Sequence, residues 1–247
     1  MIFRRACFIL GRMAPIDLQH DDQEPARFVT RQCTRAACGL RFSVQISALE
    51  PAENSASGGA GSGDLRCPLC RAPVRNAAES YERFSVPPLA ARPRGPELVV
   101  LLDNIRSAWN VGSMLRTADG AGVRHVHLCG VTALPDNPKV WKTALGAEKS
   151  LPWTYHRDGV TAARALKDAG LRLWALEGGR RAEPVFEAPR PEEGGLVLVV
   201  GNELSGVDPG ILELCERVVC LPMQGIKGSL NVAVAFGAAV YALRFGR

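Results

Sequence analysis

The chain has 247 residues, 47% of them apolar and 22% charged, with a net charge of +5. That length accommodates one core of roughly 150 residues and a small second module. No apolar run reaches the roughly 18 to 20 residues that a membrane-spanning helix needs, which argues against an integral membrane protein. The charge is uneven. Residues 1–96 hold thirteen arginines, no lysine and nine acidic residues, whereas basic and acidic residues nearly balance from residue 97 onward. Arginine suits phosphate forks and base stacking better than lysine does.

In chain order, MIFRRACFILGRM opens with an arginine pair and a short apolar patch. The patch is too short for a secretory signal and no small-residue cleavage site follows. Met13 offers a second start. Residues 13–26 are polar and acidic, so residues 1–26 are expected to form a disordered tail in a cytoplasmic protein. Residues 27–80 contain two cysteine pairs. Between the pairs lies the Gly/Ser/Ala stretch 51–64, expected to be a flexible loop. A Pro-rich segment around 86–97 reads as a stiff linker, giving a linker over 81–96 and a domain boundary at 97.

From Leu98 the texture changes. LVVLLD (98–103) is a continuous apolar run, as expected of a strand buried on both faces. A helix is predicted from Asn110 to about Val123, then a strand over 125–130. DGVTAARALKDAG (158–170) fits a helix capped by its aspartate. Strands follow at 171–177 and 196–201, a helix near Pro209–Cys215, a strand over 217–223 and a closing helix from about Ser229 to Phe245. Strands alternating with helices predict an α/β domain with a mostly parallel sheet. His125 and His127 share one strand face; with no third ligand nearby, they read as residues at a sheet edge.

Cys33-x4-Cys38-Gly39 and Cys67-Pro-Leu-Cys70 are separated by 28 residues. Four thiolates in two short-range pairs match a structural zinc site, so Cys33, Cys38, Cys67 and Cys70 are candidate ligands. The first pair is more widely spaced than usual, and the second lacks a following glycine. Arg27, Arg31, Arg35, Arg41, Arg66, Arg71 and Arg75 surround these cysteines. A zinc-ribbon-like module that holds RNA is the functional reading, with a solvated basic face as the plainer one. Cys7, Cys129, Cys215 and Cys220 read as small apolar residues.

Three segments in the C-terminal part carry chemistry: 104–123, 196–209 and 220–243. Each runs from a strand end into a loop or helix start, the edge at which α/β sheets bind ligands. Singly they are weak, since Gly201 and Gly206 could be turn glycines and Ser229 a helix cap. Neither a P-loop nor a G-x-G-x-x-G follows a strand. In this order and spacing they resemble the SpoU (TrmH-type) branch of the SPOUT RNA methyltransferases. Asn110, Gly112, Arg116 and Ala118 match its first motif. Gly201, Glu203 and Gly206 match the second. Pro222, Met223 and Gly225, then Ser229, Leu230, Asn231 and Val232, match the third. The resemblance covers roughly 150 residues.

That resemblance implies a C-terminal deep trefoil knot and a homodimer that shares its active site across the interface. It implies S-adenosylmethionine bound by Gly201, Leu221, Met223, Gly225 and Leu230, and methylation of a ribose 2′-hydroxyl in tRNA or rRNA. Arg116 would be the central catalytic group, with Asn110, Glu203, Ser229 and Asn231 in support. A guanidinium normally stays charged, so Arg116 suits gripping phosphate and stabilising alkoxide better than literal base catalysis. An RNA-binding adaptor with an inactive methyltransferase-like domain is the alternative from another class. Methylation of a base on the same knot is a third reading, less favoured by the SLNV segment and Arg116.

Overall fold

The computed structural model describes residues 26–49, 65–83, 96–191 and 193–246. The expected tail, the 51–64 loop, most of the Pro-rich linker, Cys7 and both start methionines lie outside them. The described residues fall into two compact units, one before residue 84 and one from residue 96.

The first unit is a small antiparallel sheet of β1 (Ala26–Cys33), β2 (Arg41–Gln45), β3 (Val74–Asn76) and β4 (Tyr81–Arg83). β1 is central. It pairs with β2 on one side, and with β3 and β4 on the other. Tyr81–Arg83, which the sequence reading places in the linker, thus belongs to the sheet. Along β2 exposure alternates residue by residue, so one face looks to solvent.

The second unit is an α/β sandwich. Its strands are β5 (Glu97–Asp103), β6 (His125–Cys129), β7 (Trp153–His156), β8 (Arg172–Leu176), β9 (Glu183–Pro184), β10 (Gly195–Val200) and β11 (Arg217–Cys220). All pairings are parallel, in the order β7-β6-β5-β10-β8-β11-β9. The helices are α1 (Ala108–Gly120), α2 (Pro138–Ala144), α3 (Ala147–Ser150), α4 (Gly159–Asp168), α5 (Pro209–Leu212) and α6 (Val232–Phe245). Leu98, Val100 and Leu102 of β5 and Leu196, Leu198 and Val200 of β10 join the core under α1, α2 and α6. The alternate residues Val99, Leu101, Val197 and Val199 join a second core under α4 and α5. Burial on both faces explains the unbroken apolar runs, each large side chain contributing about 1.5–3 kcal/mol. Among the described residues, no helix is long and apolar enough to cross a membrane.

α1 crosses α2 at Gly112, where a Cβ would collide with the Thr143 hydroxyl and the Val140 carbonyl. The motif-one glycine is therefore a packing requirement. α1 begins two residues earlier than predicted, because Ser107 caps it and accepts from the Asn110 N–H. α6 begins later, capped by Asn231 rather than Ser229. The predicted 217–223 strand ends at Cys220, and α5 is a single turn. α2, α3 and β7 occupy a stretch for which the sequence reading offered no element.

That omission misplaced the histidines. β6 is an inner strand, covered at its outer edge by β7, so His125 and His127 are not at the sheet edge. A third histidine is nearby after all: His127 Nδ1 lies 2.9 Å from His156 Nε2. Burial, then the neighbouring His125 and His156, lower the His127 pKa to about 3. Burial also lowers His125 and His156. A histidine depressed in the folded state opposes folding in acid, because the unfolded chain takes up a proton from about pH 6.5 downward and the folded chain does not. Stability from this cluster is therefore complete above pH 6.5 and erodes as pH falls toward 3, by about 1.4 kcal/mol per pH unit for His127 alone. Urea unfolding of wild type and His127→Leu between pH 7 and 4.5 measures this; the variant should lose about one proton of acid dependence.

Candidate active site and metal centre

The C-terminal ends of β8, β10 and β11 lie along one edge of the parallel sheet, and a cavity of about 410 Å³ opens there. That volume lies within the roughly 300–1,000 Å³ usual for small-molecule sites. Gly201, Glu203, Leu221, Met223, Ser229, Leu230 and Asn231 line it together. Met223 and Leu230 are 38% and 44% exposed, giving the cavity an apolar wall beside its polar groups.

Gly201 is buried, and what demands a glycine there is the chain itself. A Cβ would collide with the backbone of Gly206 and Val207, because Asn202 and Gly206 exchange hydrogen bonds of 3.0 and 2.9 Å and fold the turn back. Gly206 closes that turn at φ +74°, a left-handed conformation that favours glycine.

Glu203 is the joint of the site. Its carboxylate accepts from the Arg106 N–H at 2.8 Å, the Ser107 N–H at 3.1 Å and the Asn110 side-chain amide at 2.9 Å. Partial burial raises its pKa, but the hydrogen bonds from Arg106, Asn110, its own backbone and Ser107 outweigh this and hold it below the usual value. Asn110 in turn accepts from Asn231 Nδ2 at 3.2 Å. Asn231 Oδ1 caps α6 by accepting from the Ala233 and Val234 N–H groups. One chain of hydrogen bonds thus ties together all three motifs.

Two expected site residues stand apart. Gly225 is not among the cavity-lining residues. Arg116 lies on α1 in a separate groove of about 600 Å³, with Ser113, Thr117, Lys142, Thr143 and Tyr241. Two cations, four hydroxyls and no carboxylate line this groove, as suits an anion. Sequence reading missed Glu177 and Gly178, which follow β8 into the cavity. Glu177 accepts from the Val207 N–H at 3.0 Å and so braces the 202–206 turn from below. A carboxylate directly after a buried strand was the available signal. Asn202 was also missed; its amide donates to the Asn104 carbonyl at 2.8 Å.

In the small unit, Cys33 and Cys70 sulfurs are 3.5 Å apart and Cys38 and Cys67 sulfurs 3.8 Å apart. All four lie within 4.8 Å of one another, the only converging set of three or more such groups among the described residues. Tetrahedral zinc with Zn–S near 2.3 Å separates its sulfurs by about 3.8 Å, so the donor set fits. Each pair sits on a tight turn followed by a left-handed residue, Gly39 at φ +56° and Arg71 at φ 60°. The missing second glycine is thus replaced by an arginine holding the same conformation.

Comparison with known proteins points to one family. The model of the SpoU rRNA Methylase family matches residues 97–241. The 23S rRNA (guanosine(2553)-2′-O)-methyltransferase RlmP of Bacillus subtilis is 37% identical over 148 residues, 59% of this chain and 57% of that protein. A 23S rRNA (guanosine-2′-O-)-methyltransferase RlmB of a Burkholderia species is 31% identical over 173 residues, 68% of this chain and 67% of that protein. Among solved structures, the SpoU methyltransferase AviRb of Streptomyces viridochromogenes in complex with AdoMet gives a TM-score of 0.52 at 28% identity, covering 62% and 61% of the two chains. The A. aeolicus TrmH/SpoU tRNA modifying enzyme gives 0.54 at 28% identity, covering 62% and 76%. The match to RlmP spans under three-fifths of that protein's length.

Replacing Glu203 by alanine removes the only side-chain acceptor described for the Arg106 and Ser107 amides. Their hydrogen exchange should accelerate about tenfold or more, while global stability drops by no more than about 1–2 kcal/mol because the carboxylate is solvent-accessible. Residue-resolved exchange measures the first and urea unfolding the second.

Proposed function

The chain belongs to the SpoU rRNA methylase family, and on that premise we propose that it methylates a ribose 2′-hydroxyl of ribosomal RNA with S-adenosylmethionine as donor. The observation that carries this reading is the hydrogen-bonded chain Glu203–Asn110–Asn231 at the mouth of a preformed cavity. The relatives' names supply the substrate class.

The cavity residues fit the cofactor. Gly201, Leu221 and Leu230 would hold it through main-chain groups, with Met223 packing beside them. Gly225 stands outside the cavity lining and would act on the conformation of its loop. Bound there, the cofactor would supply an electrophilic sulfonium methyl to the ribose oxygen, with a thioether as its leaving group. Ser229 and Asn231 orient the ribose from the cavity wall. Glu203 fixes the loop on which they depend. The Arg116 guanidinium grips an RNA phosphate and lowers the cost of the developing alkoxide, the proton passing to that phosphate.

Arg116 opens onto a different groove from the cavity of its own chain. We therefore take the working unit to be a homodimer in which Arg116 completes the cavity of the second copy. β11 lies in the sheet between the earlier strands β8 and β9, so the 177–182 connection must cross its end; that arrangement supports the family's trefoil knot. The small unit holds zinc through Cys33, Cys38, Cys67 and Cys70 in a reducing cytoplasm and serves as an RNA-binding module.

Arg116→Ala should abolish methyl transfer to ribosomal RNA while leaving cofactor affinity, by calorimetry, within about threefold. Mixing it with Asn231→Ala and allowing subunits to exchange should restore about one quarter of wild-type turnover, since half of the dimers then own one intact site. Full activity of Arg116→Ala would overturn the assignment, and mixing without recovery would overturn the shared site. The purified chain should contain one equivalent of zinc by elemental analysis, and its chelation should unfold the small unit, leaving the α/β unit's cofactor binding in place.

A further inference from the structure

The register of the small sheet decides which side chains share a face. Gln32 on β1 lies opposite both Arg41 on β2 and Arg75 on β3. Thr30 lies opposite Ser43, and Phe28 opposite both Gln45 and Tyr81. These eight residues therefore project from one face. Arg41, Ser43, Gln45, Arg75 and Tyr81 are exposed, whereas Val29 and Cys33, which point the other way, are buried. The face is the sheet's solvent side.

Its chemistry is graded along β1. At the end next to the cysteines, Arg41, Gln32 and Arg75 form a row across three strands, the arginine-bearing strands roughly 10 Å apart. Four residues along, roughly 13 Å away, Phe28 and Tyr81 stack with ring centroids 5.8 Å apart and planes at 23°. The Tyr81 hydroxyl donates to Ser43 Oγ at 2.7 Å, which holds the ring across β1. Tyr81 remains 44% exposed. Thr30, Ser43, Gln32 and Gln45 supply hydroxyls and amides between the rows. The only carboxylate on the four strands of this sheet, Glu82, pairs in register with Arg27 on the opposite face.

We propose that this face is a platform for a few nucleotides of single-stranded RNA, with the backbone along Arg41 and Arg75 and a base stacked at Tyr81. The proposal deepens the reading of the small unit as an RNA-binding module and rests on it. Paired RNA is the poorer occupant, because an exposed ring stacks only on an unpaired base and A-form helices bury theirs. The amides and hydroxyls suit base edges and the ribose 2′-hydroxyl.

The test uses the full-length chain supplemented with zinc and a fluorescein-labelled twelve-nucleotide oligouridylate, read by anisotropy over a salt series. The double variant R41Q/R75Q should weaken binding about tenfold or more and reduce the log–log salt slope by about 1.4, or 0.7 for each lost phosphate contact. Tyr81→Leu should weaken binding about fivefold or more with little change in slope. Arg27→Gln, on the other face, should leave affinity within about twofold. Wild-type affinity in the double variant, an equal loss in Arg27→Gln, or tighter binding of a duplex of the same length would each overturn the platform. Zinc content confirms that each variant keeps its fold; if Tyr81→Leu does not, the arginine pair decides alone. Titrating S-adenosylmethionine into the same wild-type sample separates the two readings. Absence of cofactor binding would sink the methyltransferase and leave the platform standing.

Discussion

One carboxylate holds the α/β site in shape. Glu203 sits on the turn after β10 and takes the two amides that precede α1 together with the Asn110 side chain. The Asn202–Gly206 hydrogen-bond pair closes this turn, and Glu203, Glu177 and the Asn202 amide fix its position. Asn110 passes the constraint to Asn231, which also caps α6. Three segments far apart in sequence become one surface, the bonds to Glu203 being charge-assisted, the stronger kind, and the Asn110–Asn231 bond neutral.

The sheet explains why those segments meet. β5 and β10 are adjacent parallel strands in direct register, Leu196 beside Leu98 and Val200 beside Leu102. Their ends lie side by side, and loops leaving parallel strands in the same direction must share one edge. The chain runs outward from β5 through β6 to β7 and then resumes on the other side at β8, so β5 and β10 flank a point where strand order reverses. Such points open crevices in α/β sheets. The cavity opens beside that point, at the ends of β8, β10 and β11, where Glu177, Gly201 and Leu221 stand.

What was readable from sequence follows the same physics. β5, β8 and β10 announced themselves as apolar runs, because both of their faces are buried. Asp158 announced α4, because a cap needs a short acceptor side chain just before a helix. β7 was unreadable: Trp153, Thr154 and Tyr155 are all exposed and only His156 is half-buried, so no apolar pattern exists. Missing β7 made β6 look like an edge. Ser229 and Asn231 are equally good caps by residue type, and only the backbone chose between them. The motif residues were identified by resemblance, yet the separate positions of Arg116 and Asn110 depend on helix phase. Six residues apart on α1, they leave the helix in different directions, one to the cavity rim and one to a groove with Lys142.

The two cysteine turns have a consequence in polymer terms. Each is closed locally, Cys33 to Leu40 and Cys67 to Ala72, by its own backbone hydrogen bonds. The four sulfurs then join the two turns at a single point. The entropy of closing the chain between them grows only with the logarithm of its length, about 0.6 kcal/mol for each doubling. Insertions between β2 and the second turn are therefore nearly free, while a one-residue change inside either turn displaces a sulfur. Natural variants of this module are expected to differ widely in the length between Gln45 and Cys67 and hardly at all within the turns, which makes that interval the place where a new binding loop can be added without rebuilding the sheet.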